Sequence, residues 1–246
     1  MEPTQLEDWN DPAFARAWTE ENTEQPHSPL RDEQIGILID ILRAHFAATG
    51  LPARVLDVGC GPGVVAARIL DALPGADVTG VDGSPTMLEL AGERLAPYSG
   101  RYRLARADFE TITAADVPAG PYGAAVAVQA IHNSSDEGKR RTYAAARAAM
   151  AKGGLFLLCD RVRVSSPAVF PAYLALWDHL DAGFRERGWE HHEGRTYAEH
   201  TQSVEQRGDK PGSLEQNILW LRGAGFAEVA PIHVVGIRAI VAAIAG

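Results

Sequence analysis

Val55-Leu56-Asp57-Val58-Gly59-Cys60-Gly61-Pro62-Gly63 decides the fold of this chain. Apolar residues around an acid make a short strand, and glycines at 59, 61 and 63 make the turn that leaves it. The apolar run over 64–73 then reads as a helix. A strand-to-helix turn this rich in glycine lets a ligand lie against bare backbone, because no Cβ blocks the approach. Two departures from the dinucleotide pattern G-x-G-x-x-G narrow the ligand. Val64 stands where the third glycine would fall, and Asp57 would repel a pyrophosphate. A positively charged ligand without phosphates meets neither objection.

The segment from Asp57 to Gly63 resembles the first motif of the class I S-adenosylmethionine-dependent methyltransferases, acid-x-G-x-G-x-G. The resemblance implies that Asp57 accepts from the methionine ammonium of S-adenosylmethionine, directly or through water, while Gly59, Gly61 and Gly63 admit the cofactor. The second strand ends in Asp82, where an adenosine-binding fold puts a carboxylate on the ribose hydroxyls. Such charge-assisted hydrogen bonds are among the stronger ones. Gly83 and Met87 are then expected beside the sugar and base, Met87 doubling as a core residue. In the family an acid after the third strand accepts from the adenine amine and the next residue packs near the ring, which Asp108-Phe109 matches; Asp108 also reads as a cap for the segment that follows.

The fourth strand runs into Gln129-Ala130-Ile131-His132-Asn133. The family places residues here that face the transferable methyl, so Gln129 is expected at the cofactor and His132 as general base or orienting donor. An Asn or Asp followed by two prolines and an aromatic, the signature of nucleic-acid amino-methylating enzymes, is absent at this position. Lys152-Gly153-Gly154 and Leu219 to Phe226 resemble the family's approaches to the fifth and sixth strands, so the resemblance covers residues 55–243 apart from one insert.

Strands are expected over 54–58, 77–81, 102–106, 124–129, 155–163, 228–235 and 237–243. Helices are expected over 64–73, 85–96, 139–151 and 213–224. The alternation predicts an α/β, doubly wound Rossmann-like sheet with ligands at the carboxyl ends of its strands. Little more than Gly236 joins the last two strands, which makes them an antiparallel hairpin. Residues 1–50 read as an N-terminal helical cap on a domain spanning 51–246, and 164–212 as a helical lid insert. Neither addition is long enough to bury a good core alone. Their aromatics, Trp9, Phe14 and Trp18 in the first and Tyr173 and Trp177 in the second, suit either packing or an apolar pocket. Trp18, Tyr173 and Trp177 are thus candidate substrate residues, with Arg31 as a candidate carboxylate anchor.

Composition bounds the function. At 246 residues, 46% apolar and 22% charged, the chain is an ordinary globular protein. A net charge of −9 argues against a phosphate-backbone partner. The Lys139-Arg140-Arg141 cluster reads as a solvated helix face. Two cysteines, Cys60 and Cys159, have no metal or disulfide spacing and read as small core residues. His191-His192-Glu193 and His200 show no metal-site spacing, so no metal is expected. With no secretory signal or membrane span in the sequence, a reducing cytoplasm fits. The expected activity is methyl transfer from S-adenosylmethionine to a small-molecule acceptor, at oxygen or nitrogen. The alternatives are a carboxy-S-adenosylmethionine synthase-like or RNA-modifying enzyme of the same fold, or a binding protein without turnover.

Overall fold

A computed structural model describes residues 8–23, 29–184 and 194–246. Its elements, in order, are α1 (Pro12–Thr23), α2 (Pro29–Thr49), β1 (Arg54–Val58), α3 (Val64–Ala72), β2 (Asp77–Asp82), α4 (Pro85–Leu95), β3 (Tyr102–Arg106), β4 (Tyr122–Val128), α5 (Asp136–Ala149), β5 (Met150–Arg161), α6 (Phe170–Phe184), α7 (Tyr197–Arg207), α8 (Leu214–Gly223), β6 (Phe226–Val235) and β7 (Arg238–Ala245). The seven strands form one sheet in the order β3-β2-β1-β4-β5-β7-β6. The first five run parallel, and β7 inserts antiparallel between β5 and β6. This is the expected doubly wound sheet with an antiparallel last strand.

Central strands buried on both faces must be apolar throughout rather than alternating. Every residue of β4 is buried, as are the last four of β1. One core cluster joins Leu56, Ala125 and Phe156 to Tyr143 of α5 and Leu221 of α8. The other joins Val55, Val126 and Leu157 to α2 and α3. Sheet order reverses between β1 and β4, and the carboxyl edge at such a switch point is where a doubly wound sheet opens its crevice.

The two helices before residue 50 do different work. Ile35, Leu38 and Leu42 of α2 are fully buried in the second core cluster, so α2 covers the sheet itself. Helix α1 lies on α4 through an Arg16–Glu89 ion pair of 2.7 Å and a 3.7 Å contact from the Thr19 hydroxyl to the Met87 sulfur. Its aromatics Phe14 and Trp18 pack on Trp9, which precedes the helix and lies edge-on to both at 5.2 Å.

Helices α6 and α7 form a small core of their own over the β6–β7 turn. Phe170 and Trp177 meet at 5.7 Å, and His200 of α7 lies 5.6 Å from Trp177. Gly236 has φ 58, and a Cβ there would fall 2.9 Å from the Trp177 indole nitrogen. A larger residue at 236 would lift the lid off the hairpin. Helix α7 begins with a reciprocal Thr196–Glu199 capping box and ends at Gly208, φ 78. Helix α5 begins at Asp136, three residues ahead of the expected start. Ser135 caps it by accepting from the Gly138 N–H at 3.0 Å, and the acids Asp136 and Glu137 suit the positive end of the helix dipole.

Candidate functional site

The turn after β1 is stitched to β2: the Gly59 and Cys60 N–H groups both donate to the Val81 carbonyl, at 2.8 and 3.1 Å. Its glycines serve different ends. A Cβ at Gly59 would fall 2.3 Å from the Ala130 Cβ and 3.4 Å from the Phe109 ring, so this glycine lets the loop after β4 and Phe109 close in. Gly61 has φ 50, and a Cβ there would meet nothing within 4 Å. Gly61 is the one that presents open backbone; Gly63 packs on α4 at Ala91.

Asp57 is buried at the carboxyl end of β1, and its Oδ2 has no hydrogen-bond partner. Burial, and then the neighbouring Asp82 carboxylate, push its carboxyl up to about 7. Each Asp82 oxygen already accepts a backbone N–H at 2.9 Å, Oδ2 from Gly61 and Oδ1 from Ser84. The acid read as a ribose ligand therefore also clamps the glycine turn. Carboxylate oxygens have more than one lone pair each, so the clamp leaves acceptor capacity for hydroxyls. Burial raises the Asp82 carboxyl as well.

Gln129 sits just past the end of β4 with φ 53, the left-handed region that a non-glycine residue adopts at a cost of about 1–3 kcal/mol. Its N–H donates to Cys159 at 2.9 Å, and its side-chain amide nitrogen is buried without a partner. A strained backbone and an orphaned buried donor at one residue are both unexplained by the packing of the fold. Gln129→Gly is expected to raise the thermal midpoint of the unliganded protein while weakening cofactor binding about tenfold, the worth of one ordinary hydrogen bond. Calorimetry beside a melting curve checks both.

The remaining expected cofactor residues surround this edge. Met87 is buried beneath α1, and the Gly83 carbonyl accepts from Arg106 Nε at 3.1 Å. Asp108 is exposed and accepts from the Glu110 N–H at 2.9 Å, the capping role also open to it. Phe109 is half-buried against the glycine turn.

His132 is buried in a polar nest assembled from distant segments. Its N–H donates to Asp160 Oδ2 at 2.9 Å, and its Nδ1 lies 2.5 Å from Asp160 Oδ1. An ionised carboxylate only accepts, so Nδ1 carries the proton of that bond. Nε2 then faces Asp209 Oδ1 at 3.7 Å, and the ring is only 7% exposed. Asp209 belongs to the insert. Its Oδ2 accepts from Arg161 at 3.2 Å and Arg207 at 3.1 Å, and the Lys210 N–H donates to the His132 carbonyl at 2.8 Å. Both ring nitrogens thus point at carboxylates, one from the sheet and one from the lid.

Sequence reasoning misses Asp160, Asp209 and Lys139. Asp160 has a signal, an acid ending an apolar strand like Asp57 and Asp82. Lys139 corrects the solvated-face reading: it is 1% exposed, its ammonium donates to the Ser134 carbonyl, and burial lowers its pKa to about 8. Arg140 and Arg141 do lie on the exposed face, both paired with Glu137.

The expected substrate residues do not converge. Trp18 is half-buried on α1 against Trp9. Trp177 is buried and Tyr173 half-buried in the lid's own core. Arg31, on α2, is half-buried near Cys159 and Arg161, and burial lowers its pKa. Among the described residues no group of three or more His, Cys, Asp or Glu could hold a metal ion. His191, His192 and Glu193 lie outside the described residues. No described helix is long and apolar enough to cross a membrane.

The family model for a methyltransferase domain matches residues 55–154, from β1 into β5. The chain carries a methyltransferase domain. Its sheet has the class I S-adenosylmethionine-dependent form, and over 94% of the chain it superposes with TM-score 0.60 on the S-adenosylmethionine-dependent methyltransferase SibL at 20% identity, covering 56% of that protein. A trans-aconitate 2-methyltransferase of Streptomyces avermitilis is 47% identical over 73 residues, which are 29% of this chain and 26% of that enzyme. A ribosomal RNA small subunit methyltransferase H of Mycobacterium sp. strain KMS is 41% identical over 63 residues, 26% of this chain and 17% of that enzyme. The matches thus span about a quarter or less of these two curated relatives.

The residues of the domain fit the cofactor class. A buried carboxylate with an unpartnered oxygen suits an ammonium, and Gly61 leaves open backbone beside it. A phosphate would meet Asp57 and Asp82 together.

Proposed function

We propose that the protein transfers the methyl group of S-adenosylmethionine to a small-molecule acceptor, at oxygen or nitrogen. The observation that carries the reading is the pairing of two orphaned buried groups, Asp57 Oδ2 and the Gln129 amide nitrogen, at the ends of the adjacent strands β1 and β4. One asks for a hydrogen-bond donor and the other for an acceptor, and the amino-acid end of the cofactor carries an ammonium and a carboxylate. When bound, S-adenosylmethionine supplies a sulfonium methyl that is already electrophilic.

The chain's own residues then have to align and enclose. Asp57 and Gln129 hold the amino-acid end, Asp82 takes the ribose hydroxyls, and Phe109 lies near the adenine. Most of the rate comes from holding the acceptor atom in line with the methyl. His132 is the candidate to take up an acceptor proton, with Asp160 fixing its ring. In the arrangement observed Nε2 is covered by Asp209, so this proton reaches the imidazole only through or past that carboxylate. A small acceptor agrees with the partial match to the trans-aconitate enzyme. An RNA acceptor, as the name of the ribosomal RNA relative would suggest, needs a basic track that a chain of net charge −9 is poorly composed to provide.

Calorimetry with S-adenosylmethionine and with NAD tests the cofactor, and transfer of a labelled methyl to metabolites of a cell extract tests the activity. Binding of NAD in preference, or label appearing in RNA alone, would overturn the reading. For Asp82→Ala the expected cost in cofactor affinity is about 1.5–3 kcal/mol, the range for hydrogen bonds to a charged group. Because Asp82 also clamps the turn, its melting temperature should drop too. Unchanged affinity would remove the ribose assignment.

A further inference from the structure

Beside the His132 nest a cavity of about 310 Å³ opens at the carboxyl edge of the sheet, between α7, the chain following β5 and the start of α5. Its position is set by the hairpin: Arg161 pairs with Arg238 at the top of β5, and Ile237 in the β6–β7 turn forms part of the wall. Asp209 lines it, with Oδ1 directed at His132 Nε2, so one carboxylate separates the cavity from the imidazole. Cavities of this size, at the low end for small-molecule sites, combine an apolar wall with a few placed polar groups.

Here the apolar wall is Val162, Val164, Val204 and Ile237. The polar groups are unusually basic for so acidic a protein: Arg161, Arg163, Arg207 and Lys210 all line the cavity, while the chain as a whole carries a net −9. Three acids, Asp136, Glu205 and Asp209, also line it, and their environments decide the balance. Asp209 is 2% exposed and meets two arginines, so its negative charge is answered within the wall. Asp136 is in the first turn of α5 with the buried Lys139 ammonium 4.0 Å away, so its charge is countered locally. Glu205 faces solvent on α7. Arg163 is bonded to a neutral partner, Gln216, at 2.9 Å, so its charge stays at the opening; Lys210 is exposed there too and shares its charge with the nearby Glu110 carboxylate.

We propose that this cavity is the acceptor pocket and that the acceptor is a small organic acid. Its carboxylate is held at the mouth by Arg163 and Lys210, its hydrocarbon body lies on Val164, Val204 and Ile237, and its far end reaches toward Asp209 and His132. Guanidinium suits a carboxylate because its planar fork matches two oxygens, and the exposed lysine adds a point charge that draws the anion in. This rests on the methyltransferase reading and names the class of molecule that the site selects.

The test uses the full-length protein with S-adenosylhomocysteine and a panel of aromatic and aliphatic hydroxy acids, each paired with its primary amide. Binding is read by calorimetry and transfer by labelled methyl. The expected result is that the acids that bind do so at least about tenfold more tightly than their amides. In the double variant Arg163→Gln/Lys210→Gln, acid affinity should fall about tenfold or more while S-adenosylhomocysteine affinity holds. Both substituted side chains are exposed, so the variant should fold; its melting curve verifies that. Amides or amines binding as well as the acids, acid affinity indifferent to the double variant, or an entire panel that fails while S-adenosylhomocysteine binds, would each overturn the proposal. Failure of S-adenosylhomocysteine itself to bind would instead strike the methyltransferase reading on which it rests.

Discussion

Replacing Asp57 with asparagine is expected to stabilise the unliganded protein above neutral pH and, at the same time, to weaken S-adenosylmethionine binding strongly. The cause is a carboxyl group whose native pKa is about 7, against an ordinary value near 4, because it is buried and faces Asp82. A group with a raised native pKa gives its stability in full below the unfolded value and loses it as pH rises through the native one. From about pH 4 to pH 7 the unfolded chain has already released the proton that the native chain keeps, so stability declines across that window. Above pH 7 the native protein carries a buried anion, at a cost of about 4 kcal/mol for the gap between the two pKa values. Asparagine carries no such charge, so the variant's denaturation midpoint should show a flatter pH dependence and exceed the wild type at pH 8.

The same linkage acts on binding with the opposite sign. An ammonium ligand needs the ionised carboxylate, so protons compete with it below pH 7. Cofactor affinity of the wild type should be about tenfold or more lower at pH 5.5 than at pH 7.5, and that pH dependence should vanish in Asp57→Asn together with most of the affinity. Calorimetry at the two pH values, beside urea denaturation of both proteins, reads every arm. A variant that keeps its affinity, or one no more stable than the wild type at pH 8, would mean that Asp57 is satisfied within the fold and does not await a ligand.

Asp57 is legible in the sequence because its surroundings are local: strand, acid and glycine turn lie within nine consecutive residues. The parallel strands are legible too, since strands buried on both faces are written as unbroken apolar runs, and a hairpin with a single glycine at its turn can only be antiparallel. The division of labour among the glycines is not. Gly59 answers to Ala130 and Gly63 to Ala91, and neither neighbour is near in sequence. Lys139 reads as solvated because the apolar pattern places the start of its helix three residues late, and because the carbonyl that holds its ammonium, Ser134, lies in the preceding loop. The strain at Gln129 leaves no mark in composition or periodicity. His132 stands out by motif position, yet its meaning depends on Asp160 and Asp209, which topology alone brings to it.

Those two carboxylates make the outcome for His132→Ala specific. As the group that takes the acceptor proton, His132 should contribute about 10²–10⁴-fold to turnover, the usual range for a positioned acid or base, and the alanine variant should lose that much. S-adenosylmethionine affinity should change little, since Asp57, Asp82 and Gln129 are untouched. Stability must be followed alongside, because truncation leaves Asp160 and Asp209 without the ring between them. Removing the ring takes the Nδ1–H donor away from the buried Asp160 carboxylate, and leaving a buried acceptor short of its partner costs about 1–3 kcal/mol or more, so activity has to be measured well below the variant's own midpoint. Asp209→Asn separates the two effects. It keeps the shape of the lid and the His132–Asp160 bond, and it replaces the carboxylate that covers Nε2 with an amide. If the proton travels by way of Asp209, this variant should lose turnover nearly as His132→Ala does; the amide also gives up the charge that pairs Oδ2 with Arg161 and Arg207, so its melting temperature falls as well and is read alongside. If Asp209 only shields the ring, turnover should hold or rise while KM for the acceptor grows. Near-normal turnover in His132→Ala would mean that alignment of acceptor and methyl suffices, which a sulfonium donor makes chemically reasonable. Loss of cofactor binding in that variant would make the imidazole a strut between sheet and lid, its two carboxylates being what fastens the insert over the methyl-transfer edge.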